Sequence, residues 1–451
     1  MNKKLSTSIV TLLMILLFES DTAWAETLQE AINTTLENNP QAQASLNRFQ
    51  ASATAVNEAR SGYLPTVDIH TGIGYQRLDS PLTRDRGDKP PLNQHNFKVH
   101  QNSLSINQNL FHGFSTTHEL EKSKEQKYAD QEKLRVTAES LAQKVSEVYF
   151  DVLNSRKQVE IAQKNLEVHQ RIHRFILHRS VQGISNESEL YQIDGRLARA
   201  QAELIKTTHH LKDAESSYIK LTNQFPGELT PPSFEYAYLP ESLDEAIKIT
   251  VSEHPALLAM GHEVKSSEAA YDQSRSLFLP SVNLSVTKRW DKNVNGMEGR
   301  HDDTMAVVSL SYNLFSGGAH SAKRQAAAYR AEESRANQQE THRDILVRLR
   351  HAWARLQLTL EQEPHLAKYQ DASQKTADSY KKQYDIGRRS LIDLLNSESE
   401  SYQAEGQYTQ AQYQVLAAQF DVLACMGQIL NKLKLHIPTS WHVKGIYNSN
   451  N

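Results

Sequence analysis

The side chains best suited to chemistry in this 451-residue chain gather in one short stretch, Tyr384-Asp-Ile-Gly-Arg-Arg-Ser-Leu-Ile-Asp-Leu-Leu-Asn396. A weaker copy lies 204 positions earlier, around Gly183 to Gln192. The chemistry on offer is electrostatic. The Arg389 guanidinium suits a bidentate bond to a carboxylate such as Glu189. Arg389 and Asp393 also stand four residues apart, the spacing of a plain helix-surface pair worth about 0.3–0.5 kcal/mol. His169 and His173, at i and i+4, have the spacing of a two-ligand metal pair, with His178 nearby. Both also continue the apolar seam that runs to Leu166, so packing is the expected role and no metal site is assigned. Phosphate-loop, His-Glu-x-x-His and Gly-x-Ser-x-Gly signatures are absent from the sequence. Neither an enzyme nor a cofactor is expected.

Long helices must position this stretch. Positions 134, 138, 141, 145, 148, 152, 155, 159, 162 and 166 advance by alternating steps of four and three and are mostly apolar. Positions 190, 193, 197, 200, 204, 207, 211, 214, 218 and 221 repeat the pattern after the first tip. Ile345, Leu349, Ala352 and Leu356, then Val415, Ala418, Val422, Cys425 and Ile429, repeat it again. This is a coiled-coil seam, with alanines that let helices approach closely. Cys425, the only cysteine, lies on the seam, so packing is its expected role. The run from Ser115 to Gln182 predicts one helix of about 100 Å at 1.5 Å per residue. A helix that long has no core of its own and must pair with others.

The chain is two copies of one unit. Leu28-Gln-Glu-Ala-Ile32 matches Leu243-Asp-Glu-Ala-Ile247, Pro40 matches Pro255, and Tyr63-Leu-Pro65 matches Phe278-Leu-Pro280, all offset by 215. Asn109-Leu-Phe111 matches Asn313-Leu-Phe315, and Gly183 matches Gly387, offset by 204. The change of offset places 11 extra residues in the polar, proline-bearing stretch 77–96 of the first copy. The predicted boundaries are 1–25, a signal peptide; 26–225, the first repeat; 226–241, a linker; 242–433, the second repeat; and 434–451, an irregular tail.

Each repeat carries two alternating runs of about ten residues. Val67, Ile69, Ile73 and Tyr75 alternate with polar positions, as do Leu104, Ile106 and Leu110. Val282, Leu284, Val286 and Trp290, then Val308, Leu310, Tyr312 and Leu314, do the same in the second copy. Pro65 and Pro280 suit the first position of a strand. On pattern alone, a soluble sandwich and a membrane barrel both fit. The helices favour the barrel, because their apolar stripes are already committed to their own seam. Four strands leave two open edges, which a bilayer does not permit, so several chains must pool their strands. Three copies give twelve strands, wide enough for a water-filled bore.

Targeting and composition agree. Lys3 and Lys4, an apolar run from Leu5 to Phe18, and Ala23-Trp-Ala25 read as a secretory signal cleaved after Ala25. The remainder has no apolar stretch near the roughly 20 residues a spanning helix needs, and mean hydropathy is −0.60. A net charge of −3 argues against a nucleic-acid partner.

With these features in place, the chain resembles the TolC family of outer-membrane efflux and secretion channels. The resemblance rests on the repeat, the Leu-Pro-Thr-Val and Leu-Pro-Ser-Val strand starts, the Asn-Leu-Phe-x-Gly strand ends with His112 and Ser316 at x, and the Gly-x-x-Ser-x-x-Asp-x-x-Asn tip. It implies a mostly α fold with a membrane β-barrel: a homotrimer with a twelve-stranded barrel, four strands per chain, and a coiled-coil periplasmic tunnel. It implies partners too, a periplasmic adaptor protein and an inner-membrane pump of ABC or RND type, in the outer-membrane lipid of a Gram-negative cell. The implied function is passive export of drugs, small molecules or unfolded proteins, gated at the helix tips. Asp393 matches an aspartate whose three copies ring the periplasmic entrance, and Asn396 stands where a second ring aspartate is found. Arg389, Tyr384 and Glu189 match positions that hold the entrance shut. Gly183 and Gly387 match the turns that meet the adaptor. Three carboxylates in a narrow constriction repel one another and attract cations. The alternative is a trimeric coiled-coil tether anchored in the outer membrane, which needs no charged constriction.

Overall fold

The computed structural model describes residues 26–78, 96–182, 186–232, 239–295, 297–435 and 441. The expected signal peptide and the Ala25 cleavage site lie outside them, as do Gly183, most of the 77–96 loop and parts of the linker and tail. The order of elements repeats as the sequence predicts. The first copy holds α1 (Leu28–Asn38), α2 (Pro40–Ser61), β1 (Thr66–Arg77), β2 (Asn96–His112), α3 (Ser115–Val181) and α4 (Glu187–Thr222). The second holds α5 (Leu243–Glu253), α6 (Pro255–Gln273), β3 (Ser281–Lys292), β4 (Arg300–Ser311), α7 (Ala319–Asp385) and α8 (Leu391–Met426). A short α9 (Ile429–Lys432) follows.

Local chemistry sets the helix ends. Thr27 and Glu30 form a reciprocal capping box at the start of α1. Pro40 and Pro255 open α2 and α6, where a missing N–H costs nothing. Asn223 and Gly427 close α4 and α8 in the left-handed conformation. The interior of α7 carries Pro364, where no backbone N–H can reach back to residue 360.

The chain divides into two compact units, each drawing on both repeats. One comprises residues 44–136 and 253–344 and holds the sheet. Its strands run β1-β2-β3-β4, all antiparallel. The β2–β3 ladder joins the two repeats, with a register shift between Asn109 and Phe111. Among the described residues the outer edges of β1 and β4 are unpaired. The apolar face is bare: Ile73 is 70% exposed, Tyr75 78% and Leu310 69%. β4 differs from expectation at its end. It stops at Ser311, which pairs with the first residue of β3, Ser281, so Tyr312 and Leu314 have no strand on which to continue the ladder. The two prolines also sit one residue before β1 and β3 rather than inside them.

The other unit comprises residues up to 43, 137–252 and those from 345 onward. Within it the predicted seam is buried: Leu141, Val145 and Val152 on α3, and Ala200, Ala214 and Tyr218 on α4. In the second copy Leu349, Ala352 and Leu356 of α7 pack with Ala418, Val422 and Met426 of α8, under Ala246 of α5. Cys425 packs against this cluster, as its seam position predicts, and burial raises its thiol pKa.

Candidate gate at the helix-hairpin tips

The end of α3, the start of α4, the end of α7 and the start of α8 converge within one unit. Ile176, Ile193, Tyr384, Leu391, Leu394 and Leu395 form a buried cluster, flanked by Ile172 and Leu190. This is a second small core, separate from that around Leu349, and it holds the polar tip residues in fixed positions.

The α7–α8 turn is built by its own backbone. Gly387 adopts φ +74°. Its N–H donates to Tyr384 O at 2.9 Å, and Arg388 N–H donates to Gln383 O at 2.8 Å. This paired pattern ends a helix around a left-handed residue, a conformation open to glycine. Ser390 then starts α8. Its Oγ accepts from Asp393 N–H at 3.3 Å and donates to Asp393 Oδ2 at 2.8 Å. Asp393 thus serves as an N-terminal helix carboxylate, in a favourable dipole position, while remaining 42% exposed.

Arg389 donates from Nε to Gln383 Oε1 at 2.9 Å. Its Nη1 stands 3.9 Å from Asp393 Oδ2, and its guanidinium lies 4.2 Å from the Tyr380 ring centre. Within one chain the i, i+4 pairing weighed from sequence is therefore present, and Glu189 is not among these contacts. Tyr384 is buried at 7% exposure, edge-on to Phe175 at 6.2 Å. Among the described residues its hydroxyl makes no bond of strict hydrogen-bonding geometry, and the Arg179 guanidinium is the polar group that interacts with it. Burial raises its pKa, against the pull of the nearby Arg179 guanidinium.

Asn396 is held from the other hairpin. Its Oδ1 accepts from Arg196 Nη2 at 2.8 Å, which ties the third turn of α4 to the second turn of α8. Sequence reasoning passed over Arg196, although the repeat carried a hint: Asn396 corresponds to Gln192, and Arg196 lies one turn beyond it. Ser390 stood in the tip motif without an assigned role, and Gln383 was missed because its side chain meets Arg389 only through the fold of the Gly387 turn.

The three histidines go separate ways. His169 is buried, with Nδ1 bonded to Asn165 O at 2.9 Å. Burial lowers its pKa, and the Arg196 charge lowers it further. His173 Nε2 lies 2.9 Å from Asp194 Oδ1, linking α3 to α4. His178 Nε2 bonds Gln182 at 3.1 Å.

A strand pair from each repeat, long helical hairpins and a charged, tightly wound tip define a protomer of the outer-membrane channel class. The chain belongs to the outer membrane efflux protein family, which it matches over residues 31–224 and 246–428. It is 22% identical over 386 residues to outer membrane efflux protein BepC of Brucella suis, covering 84% of this chain and 80% of BepC. It is 24% identical over 401 residues to alkaline protease secretion protein AprF of Pseudomonas aeruginosa, covering 86% and 82% respectively. The CmeC outer membrane channel of Campylobacter jejuni superposes with TM-score 0.77 at 15% identity, covering 89% of this chain and 85% of that one.

Proposed function

We propose that three copies pool their sheets into a twelve-stranded barrel and act as the outer-membrane duct of a tripartite export system. The observation that carries this reading is the sheet with two open edges and a bare apolar face. Such a sheet is not viable in a bilayer as a single chain, and closure removes both faults at once. The helical unit supplies the periplasmic passage. A periplasmic adaptor and an inner-membrane ABC or RND pump supply capture and energy, because this chain carries no nucleotide-binding signature.

The gate lies at the tips. Three copies of Asp393 form the cation-attracting ring, with Asn396 beside it. Arg389, Tyr384 and Glu189 hold neighbouring hairpins shut, and the Gly183 and Gly387 turns receive the adaptor. The buried Tyr384 hydroxyl supports this assignment: in its own chain it meets the Arg179 guanidinium without a bond of strict geometry, and a neighbouring chain can complete its hydrogen bonding. Replacing Tyr384 by Phe together with Arg389 by Ser is expected to raise single-channel conductance.

Deletion in the native host tests the function. Broad sensitisation to dyes, detergents and antibiotics assigns drug efflux, in keeping with the name of BepC. Loss of one secreted protein assigns protein secretion, in keeping with that of AprF. Absence of both changes favours the tether over the duct.

A further inference from the structure

The charged residues of the sheet are sorted by face and by height. Strand register places Val67, Ile69, Ile73 and Tyr75 of β1 on one face with Ile106 and Leu104 of β2, Val286 of β3 and Ala306 of β4. On that same face stand Arg77, Lys98, Lys292 and Arg300, towards the β1–β2 and β3–β4 turns, and Lys288, four residues nearer mid-strand and opposite Leu104. All five are exposed. The acid sharing this face of the strands is Asp302, which binds Arg300 at 2.9 Å, while Glu298 lies in the adjoining turn. Asp291 and Asp303 fall on the opposite face, as does Arg289.

We propose that these five side chains form a docking belt for phosphate-bearing lipids of the outer leaflet. The inference rests on the reading of this sheet as a barrel wall with its apolar face in lipid. On such a wall basic side chains are strongly disfavoured at mid-depth and tolerated near an interface. Tyr75 and Trp290 mark that interface, since ring side chains of this kind collect at headgroup depth. Lys98 is the direct cross-strand partner of Tyr75. Lys288 and Lys292 flank Trp290 two residues to either side, about 13 Å apart along the strand.

The register adds a second argument. Lys292 and Arg300 are direct partners across β3 and β4, and His100 faces Lys292 from β2. Like charges placed directly opposite destabilise a sheet. Asp302 relieves Arg300, whereas Lys98, Lys288 and Lys292 have no carboxylate within ion-pairing distance among the described residues. No described carboxylate neutralises these three lysines, and an anion supplied by the surroundings fits there. Because the belt continues straight on from the apolar rows, an anion attached to acyl chains fits where a soluble one does not. Long lysine stems can lie along the apolar wall and lift their charges to phosphate depth.

The test places the full-length protein in phosphatidylcholine nanodiscs containing a trace of phosphorylated lipid A or its dephosphorylated form, and counts retained lipids by native mass spectrometry. The wild type is expected to retain the phosphorylated form preferentially. At about fivefold per charge, Lys98→Gln/Lys288→Gln/Lys292→Gln should weaken that preference on the order of a hundredfold. Arg289→Gln, on the opposite face, should leave it unchanged. Equal retention of the two lipids by the wild type overturns the proposal without reference to any variant. So does a preference that survives in a triple variant that still inserts. Conductance in pure phosphatidylcholine separates the two claims. Channels without phosphate preference overturn the belt alone, and absence of channels overturns the duct reading along with it.

Discussion

Asn396→Ala isolates the tie between the two hairpins. The substitution removes the acceptor of the 2.8 Å bond from Arg196 and leaves the buried cluster untouched. A hydrogen bond of this kind contributes about 1 kcal/mol net, the charge on Arg196 being offset by its exposure. Three chains moving together lose about 3 kcal/mol of closed-state preference, which shifts the open-to-closed ratio on the order of a hundredfold. Single-channel recording in planar bilayers reads this as a larger fraction of time at high conductance. Arg196→Ala should give the same shift, and the double variant should add little, because both remove one interaction. Asn396→Asp keeps an acceptor for Arg196 and adds a carboxylate beside Asp393, so the channel should stay closed and bind cations more tightly. An unchanged Asn396→Ala channel, or fully additive single substitutions, would refute the view that this bond holds the tips together.

Other consequences follow from the same geometry. Ser390→Ala removes the cap of α8 and should cost about 1 kcal/mol, read as faster hydrogen exchange over the first turn of α8. Leu395→Ala opens a cavity in the tip cluster and should destabilise it by about 2–5 kcal/mol, seen as faster proteolysis at the tips. His169 is buried with its pKa below the ordinary 6.5. The folded tip therefore binds this proton less readily than the unfolded chain, so stability is full above about pH 6.5 and falls on acidification below it. Hydrogen exchange at the tip compared at about pH 7.5 and about pH 5 should show that loss, and His169→Gln should flatten it.

Much of this structure is written as periodicity. The seam positions from Leu134 to Leu166 are legible because a four–three step leaves one burial pattern open to a helix. The strands are legible because Val67 to Tyr75 alternate. The two-fold repeat gives the order of elements without any structural input. The end of β4 was not legible: Tyr312 and Leu314 continue the alternation, and the ladder stops because β3 begins opposite Ser311. At the tip, residue types pointed to Arg389, Asp393 and Asn396, but their partners depend on geometry. Arg389 turns back to Gln383 because the left-handed Gly387 folds the chain over itself. Asn396 meets Arg196 only once the two hairpins stand side by side. The basic belt on the sheet escaped because its members lie far apart in sequence and share a face only through register.

Planar-bilayer recording of the purified protein, with a multivalent cation added to one side and then the other, tests the central claim most directly. The account predicts discrete channels that the cation blocks far more strongly from one side, with block lost in Asp393→Ala. Absence of channels would contradict the duct, and block that persists in Asp393→Ala would contradict the placement of its gate.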